Sequence, residues 1–370
     1  MSARGIVRRV HLWLGLSVGA LFVLTGLTGS LLVFYPAIDG ALHPGLARVA
    51  AGARPASWQA VYDALRRAEP GRDGAWRIEV TPDGGPIPVR YYAARETRAR
   101  AFAPLMLWLD PVRLTVVRRG FWGGYATTWL YDLHYRLLLE KPGALVMGIA
   151  GIVMLAMLVS GLWAWWPRPG GWRRSLAWKR EAARSRRLYD WHKWAGIGSA
   201  QVLVVVAATG VLLDLPDQVH PLVARASPLF ATPPLRSVPN GPPLPLDTLV
   251  DRAERALPGG ALAWIETPAD AHGVVRVNLA LPGEPSRRFP RSNVWLDPYT
   301  GRVLAVRDAR RDGGGDTLLD WLHPLHDGEA FGLAGRWLAF VSGLVPAVLF
   351  VTGVWRWRVR GRARARAEAR

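Results

Sequence analysis

The chain of 370 residues contains no cysteine. The lack of thiols excludes disulfides, cysteine-ligated iron–sulfur clusters, thiolate catalysis and covalent attachment of haem through a C-x-x-C-H motif. The sequence also lacks a G-x-G-x-x-G fingerprint and a P-loop. We therefore expect no nicotinamide, flavin or nucleotide site in this chain, and any redox activity would need a separate electron donor.

Charge is almost absent from four long stretches, although 20% of all residues are charged and the mean hydropathy is +0.10. About 20 apolar residues suffice to cross the ~30 Å hydrocarbon core of a bilayer. No clear A-x-A cleavage site follows the first stretch, so we expect it to be retained. The sequence predicts four transmembrane helices, at Leu12–Tyr35, Gly143–Trp166, Trp194–Leu213 and Trp337–Trp355.

Positive charge, which gives a formal net charge of +19, is concentrated in three segments between and beyond these stretches. If the helices alternate in direction, all three segments share one side, and the positive-inside bias predicts that both termini and the middle loop are cytoplasmic. This topology accounts for the basic tail without a nucleic-acid partner, which is the alternative interpretation. The residues are Arg4, Arg8 and Arg9; Arg168, Arg173, Arg174, Lys179, Arg180, Arg184, Arg186 and Arg187; and Arg356, Arg358, Arg360, Arg362, Arg364, Arg366 and Arg370.

Histidines mark an internal repeat. His11 and His192 open the first and third stretches, and each is followed at the same distance by a Thr-Gly pair. His134 and His326 precede the second and fourth stretches, and each is followed at the same distance by a Ser-Gly or Thr-Gly pair. So many aligned positions indicate two tandem copies of one unit. The pairs are Thr28-Gly29, Thr209-Gly210, Ser160-Gly161 and Thr352-Gly353.

Each copy also carries a segment outside the membrane, in which a helix is followed by strand-like runs. The predicted helices are Ser57–Glu69 and Leu246–Leu257, and the runs end in the turn signals Asp110-Pro111 and Asp297-Pro298. This pattern predicts two small α+β domains. The expected order is 1–36 helix, 37–128 outer domain, 129–167 helix, 168–190 basic loop, 191–214 helix, 215–318 outer domain, 319–357 helix and 358–370 basic tail.

Parallel repeats are related by an axis along the membrane normal, which places His11 opposite His192 and His134 opposite His326. Ionisable groups at membrane depth are costly and usually functional. Two neutral imidazoles from facing helices can close both axial positions of one haem iron. Without C-x-x-C-H, such haems would be b-type, so we expect two b-type haems.

Gly15 and Gly196 lie one turn beyond His11 and His192, and we expect these glycines to open a slot for the macrocycle. His323 is an alternative ligand to His326, although the gapless alignment with His134 favours His326.

Other interpretations of these histidines remain. Zinc or copper sites are alternatives to haem, although H-E-x-x-H and clustered His/Cys spacings are missing, and a histidine at a helix end can also lie among lipid headgroups. Asp132 and Asp190 precede two of the histidines; they are interpreted as helix N-caps, with orientation of the imidazoles as the alternative.

Three stretches resemble the PepSY-associated transmembrane proteins: Leu322–Arg336, Trp191–Gly196 and the Ser160-Gly161-Leu162-Trp163 end of the second helix. Members are bacterial inner-membrane proteins with periplasmic PepSY domains, and some resemble di-haem reductases of ferric siderophores. The resemblance implies PepSY-like outer domains and an inner-membrane location. It also implies that His11, His134, His192 and His326 are haem ligands. Several members carry a flavin domain that this chain lacks.

The sequence thus predicts a membrane α-helical bundle of four transmembrane helices in two tandem parallel repeats, with two small α+β PepSY-like periplasmic domains. The expected function is an oxidoreductase that takes electrons from a quinol or a cytoplasmic donor. This oxidoreductase would pass the electrons to a periplasmic acceptor. Only the family resemblance implies that this acceptor is a ferric siderophore. The alternatives are a quinone-linked oxidoreductase acting on another metal complex, such as copper, and a non-enzymatic membrane-anchored protein that binds or inhibits a periplasmic partner.

Overall fold

The computed structural model describes residues 2–46, 49–178 and 183–368, so Lys179, Arg180 and Arg370 of the basic segments lie outside the described residues. The chain folds into two units, and both draw on both repeats. The helical unit combines Met1–Phe34, Tyr131–Pro216 and Leu322–Arg370, and the sheet unit combines Tyr35–Leu130 and Asp217–Trp321.

The α-helices of the described residues, in chain order, are α1 (Ala3–Val33), α2 (Tyr35–Leu42), α3 (Trp58–Ala68), α4 (Ala126–Arg136), α5 (Glu140–Trp165), α6 (Trp172–Leu176), α7 (Arg184–Asp214), α8 (Pro216–Ala226), α9 (Leu246–Ala256), α10 (Gly314–Asp327) and α11 (Gly332–Glu368). The strands are β1 (Trp76–Glu79), β2 (Ile87–Tyr91), β3 (Leu105–Leu109), β4 (Val116–Phe121), β5 (Ala261–Glu266), β6 (Val275–Ala280), β7 (Ser292–Leu296) and β8 (Val303–Arg307).

Four helices of the described part are long and apolar enough to cross a membrane: α1, α5, α7 and the segment Glu329–Glu368 that contains α11. The four predicted transmembrane helices are therefore present. Ser2 caps α1, since its hydroxyl accepts a hydrogen bond from the Gly5 backbone N–H. Large apolar side chains of α5, such as Ile149 and Val159, remain exposed, as expected of a helix surrounded by lipid.

The four long helices form a bundle in which α1 packs against α5 and α11, and α7 packs against the same two helices. Small residues bring α1 and α11 together, because a Cβ atom at Gly26 would lie 2.3 Å from the Gly343 carbonyl oxygen. One turn further along α1, the Ser30 hydroxyl donates to the Phe340 carbonyl at 2.7 Å. Close backbone approach through small residues is the usual way in which helices pack in lipid.

Each of the segments 129–167 and 319–357, predicted as one helix, is broken just after its histidine. In the first repeat, Leu137, Leu138 and Glu140 take positive φ values of 52°, 60° and 56° between α4 and α5. In the second repeat, Gly328 and Gly332 take φ values of 81° and 60° between α10 and α11. Glycine adopts this conformation without a steric penalty, whereas leucine and glutamate are strained in it.

The sheet unit contains one antiparallel sheet of eight strands in the order β4-β3-β2-β1-β5-β6-β7-β8. The expectation of two separate small domains is therefore wrong. The halves join where β1 pairs with β5, with Ile78 opposite Ile265 and Arg77 opposite Glu266. Each half alone would leave a row of unpaired backbone groups along β1 or β5, and joining the two edges satisfies both.

The core of the sheet unit lies between one face of the sheet and the helices α3 and α9. Alternate strand residues such as Ile78, Leu107, Ile265 and Val277 are fully buried there, as the period of two in a strand requires. Asp247 links the halves, because its carboxylate accepts hydrogen bonds from the Ser57 hydroxyl and from the backbone N–H groups of Trp58 and Gln59.

The predicted Asp-Pro turns close the same hairpin in each half. Asp110 accepts from the backbone N–H groups of Val112 and Arg113 after β3, and Asp297 accepts from those of Tyr299 and Thr300 after β7. Two such hydrogen bonds lower the pKa of Asp110, because they stabilise its charged form.

Candidate functional site

Two pairs of histidines lie in the helical unit. The first pair joins His11 of α1 to His192 of α7, with ring centres 6.4 Å apart and planes at 88°. The second pair joins His134 of α4 to His326 of α10, with ring centres 6.2 Å apart and planes at 54°. The structure thus brings together the residues that the parallel repeat places opposite each other.

A hydroxyl on a neighbouring helix accepts from or donates to Nδ1 of every one of these imidazoles. In the first pair, His11 Nδ1 lies 3.0 Å from the Ser160 hydroxyl, and His192 Nδ1 lies 3.0 Å from the Thr352 hydroxyl. These hydroxyls belong to the Ser-Gly and Thr-Gly pairs of α5 and α11. The same contact therefore occurs on both sides of the first pair.

The second pair repeats this arrangement. His134 Nδ1 lies 3.0 Å from the Thr28 hydroxyl and 3.1 Å from the Thr25 carbonyl oxygen of α1. His326 Nδ1 lies 3.3 Å from the Thr209 hydroxyl and 3.0 Å from the Val206 carbonyl oxygen of α7.

The hydrogen-bond directions identify the tautomer. Each hydroxyl already donates to a carbonyl one turn back in its own helix, for example Thr28 to Leu24 at 2.8 Å and Ser160 to Met157 at 3.0 Å. The imidazole Nδ1 must then be the donor, as it also must be toward the carbonyl oxygens of Thr25 and Val206. A neutral imidazole protonated at Nδ1 carries a free lone pair on Nε2, which is the form that binds a metal.

The glycine of each pair makes room for the ring. A Cβ atom would lie 2.8 Å from Cε1 of His134 at Gly29, and 3.0 Å from Cε1 of His11 at Gly161. At Gly210 it would lie 3.0 Å from Cε1 of His326, and at Gly353 it would lie 3.6 Å from Cε1 of His192. Three of the four positions are too tight for alanine without a shift of the imidazole.

The spacing of the rings can be compared with that of two ligands on one metal ion. An imidazole nitrogen lies about 2.0 Å from a metal that it ligates and about 1.1 Å from the centre of its own ring. Each ring centre is therefore about 3.1 Å from the metal, and two imidazoles on opposite sides of one ion have centres about 6.2 Å apart. The observed separations of 6.4 Å and 6.2 Å agree with this value. The residues present therefore fit a metal with two axial imidazoles at each pair, as in a bis-histidine haem.

Sites built from more protein ligands are not seen. Among the described residues, no group of three or more His, Asp or Glu side chains could hold a metal ion. A structural zinc site normally needs four protein ligands and a catalytic one three. Neither set of ligands is present among the described residues.

The other predicted site residues lie near the pairs without joining them. A Cβ atom at Gly15 would lie 3.3 Å from the Met157 methyl group, and one at Gly196 would lie 3.7 Å from Leu349, so these glycines face neighbouring helices. His323 Nδ1 lies 3.6 Å from a carboxylate oxygen of Asp327, and the ring that faces His134 is that of His326.

The interpretation of Asp132 and Asp190 as N-caps is wrong, because both lie inside helices. Asp190 is fully buried and accepts from Lys193 at 3.0 Å, and Lys193 also donates to the Ser175 and Ala177 carbonyls. Three acceptors satisfy the buried ammonium group. These contacts join Ser175 and Ala177 to α7.

The sequence pattern did not reveal what the Ser-Gly and Thr-Gly pairs do. In the sequence these pairs mark only the repeat. Their recurrence at a fixed distance from a histidine was nevertheless a signal that could have indicated contacts with the imidazoles.

The described residues thus form a bundle of four long apolar helices that contains two histidine pairs. The family described as the PepSY-associated TM region matches residues 8–360. Because the match covers nearly the whole chain, this protein belongs to that family. No protein of curated function matches the chain.

Proposed function

We propose that the protein binds two b-type haems, one at each histidine pair, and carries electrons across a membrane. The observation that supports this most is the pair of ring separations, 6.4 Å and 6.2 Å, with every Nδ1 hydrogen-bonded so that both Nε2 atoms of a pair are free to ligate. Bound haem would supply one-electron redox chemistry, since a chain without cysteine holds no cysteine-ligated iron–sulfur cluster.

The chain's own residues would position the ligands. Ser160, Thr352, Thr28 and Thr209 would accept the four Nδ1 protons, and each hydrogen bond fixes the tautomer and the orientation of its imidazole. The glycines beside these hydroxyls let the rings lie against the helix backbone.

The orientation follows from charge. Arg4 and Arg8 donate to carbonyl oxygens at the C-terminal end of α5. The basic residues at the start of α7 and at the end of α11 are predicted to lie on the same side of the membrane as Arg4 and Arg8. Under the positive-inside rule this end faces the cytoplasm of a bacterial inner membrane, with both termini inside. The first pair is then on the cytoplasmic side, near a quinol or a cytoplasmic flavoprotein donor. The second pair is on the periplasmic side.

The acceptor is proposed from the family resemblance, which is an analogy. A periplasmic ferric siderophore would be reduced, and its iron would be released because hard oxygen ligands hold the ferric ion more tightly than the ferrous ion. Another periplasmic metal complex, such as one of copper, is the alternative acceptor, and measuring which complex the reduced protein reduces distinguishes the two.

The test is haem content of detergent-purified protein, measured by the pyridine haemochrome assay. We expect two b-haems per chain in the wild type. His11→Ala or His192→Ala should leave only the haem of the second pair, and His134→Ala or His326→Ala should leave only the haem of the first pair. His323→Ala is the matched control and should keep both. Absence of haem after expression with ample haem would overturn the proposal and favour an anchored protein that binds a periplasmic partner.

A further inference from the structure

The first histidine pair lies among several arginines. Arg356 of α11 is within electrostatic reach of Arg8, Arg186 and Arg360, and His192 is within electrostatic reach of Arg356. Arg356 follows Thr352, which bonds to His192, by four residues, so the two side chains share one face of α11. The guanidinium is therefore directed to the same side of the helix as the contact with His192.

Tyr189 holds the guanidinium from the facing helix. The central carbon of the Arg356 guanidinium lies 4.5 Å from the centre of the Tyr189 ring, a cation–π distance. Tyr189 precedes His192 by three residues, so it lies on the same face of α7. Arg356 of α11 thus contacts α7 about one turn before His192, and His192 contacts α11 about one turn before Arg356.

Within the described part of the chain, Arg356 has no carboxylate partner. No Asp or Glu oxygen of the described residues lies within 4.0 Å of its guanidinium, whereas Arg186 pairs with Asp190 at 3.3 Å. Arg356 is half-buried, and among the described residues the charged groups that act on it are the cations Arg8, Arg186 and Arg360. A partly desolvated cation among like charges costs free energy unless an anion binds there.

The second pair differs in this respect. Arg136, two residues after His134, pairs with Glu140 at 3.1 Å. Arg336 donates to the Val33 carbonyl and lies over the Phe34 ring. Arg136 and Arg336 thus already have partners in the chain.

We propose that Arg356 binds a carboxylate of the haem held by His11 and His192, with Tyr189 orienting the guanidinium. The inference rests on the proposed function. Haem b carries two propionate carboxylates, and a planar guanidinium fork matches a carboxylate with two parallel hydrogen bonds. Arg356 would then select the orientation of this haem and raise its reduction potential, because a nearby positive charge favours the reduced, less positive iron.

The experiment uses the full chain in detergent. In a His134→Ala background, which retains only the first haem, apoprotein is titrated with haemin and the bound haem is titrated electrochemically. We expect Arg356→Gln to weaken haemin binding by about 10- to 100-fold, as for loss of a charged hydrogen bond near a metal ligand, and to lower the midpoint potential. Arg356→Lys should restore the potential more than the affinity, since lysine keeps the charge without the fork.

Arg358→Gln is the matched control. Arg358 is exposed, lies two residues further along α11 on a different face, and should leave both quantities unchanged. Retention of the second haem by Arg356→Gln in an otherwise wild-type chain shows that the bundle is folded.

The outcomes separate the two proposals. A wild-type chain without haem overturns the proposed function. Two haems in the wild type, with unchanged affinity and potential in Arg356→Gln, overturn only the role of Arg356. A phospholipid phosphate is the other source of such an anion. If Arg356→Gln changes only the response to added anionic lipid, Arg356 is a lipid site and the propionate assignment is wrong.

Discussion

Replacing Gly29 by alanine perturbs the second histidine pair by a known distance. The new Cβ atom would lie 2.8 Å from Cε1 of His134, whereas ordinary contacts begin at 3.4 Å. The ring must therefore move by about 0.6 Å. This is roughly three times the ~0.2 Å by which metal–ligand distances normally vary. The ring cannot move without cost, because Thr28 and Thr25 hold its Nδ1 from the same helix as Gly29.

Displacing a group that orients a metal ligand typically costs 10- to 100-fold in affinity. We therefore expect Gly29→Ala to weaken the second haem by about that factor and to leave the first haem in place. Gly353→Ala is the matched control, since its Cβ atom would lie 3.6 Å from His192, an ordinary contact that should change affinity by less than about twofold.

The assay is haemin titration of each variant, with haem per chain from the pyridine haemochrome spectrum. Two results would refute the reasoning. One is a Gly29→Ala variant that binds both haems as tightly as the wild type. The other is a Gly353→Ala variant that loses haem as severely as Gly29→Ala, because the distances from Cβ to the ring would then not control binding.

Three further predictions concern stability. Gly143→Ala should destabilise the helical unit by about 3 kcal/mol or more in denaturant titration, because the Cβ atom would lie 1.7 Å from the Arg136 carbonyl oxygen; Gly198→Ala, with nothing within 4 Å, is the control and should not destabilise. Asp247→Ala should lower the free energy of unfolding by about 2–3 kcal/mol, since three donors lose their acceptor; an unchanged midpoint in tryptophan fluorescence would contradict it. Burial raises the pKa of Asp320 to about 6, above about 3.9 in an unfolded chain. The folded state then keeps a proton that the unfolded state releases, so stability should fall as pH rises from about 4 to 6; thermal unfolding of Asp320→Asn should lack this decline, and equal slopes would refute the assignment.

Much of the helical unit follows from sequence because its signals are local. Length and uniform apolarity specify the spanning helices, and equal spacing of His11 and His192 from their Thr-Gly pairs reveals the repeat. Parallel repeats then fix which histidines face each other. The facing of the histidines was predictable for this reason. Which histidine each repeated hydroxyl contacts was not predictable, because the two residues of each contact lie on different helices.

The fused sheet was not predictable by the same means. Strand content was evident in each half, but the pairing of β1 with β5 depends on two edges far apart in the chain. Nothing local to Ile78 or Ile265 distinguishes an edge strand from a central one. The strained turn at Glu140 was equally hidden, because only its counterpart, Gly332, carries the residue type that favours positive φ.

The β1–β5 junction bears on how such a chain could have arisen. Ile78 and Ile265 occupy equivalent positions of the two copies and face each other directly in an antiparallel pair, which is the contact that a two-fold axis generates between identical subunits. A single ancestral copy could have completed its sheet only by dimerising through this strand. Gene duplication and fusion would have made that partnership permanent. The two halves were then free to differ, as they do where one has Gly332 and the other has Glu140 at a positive φ.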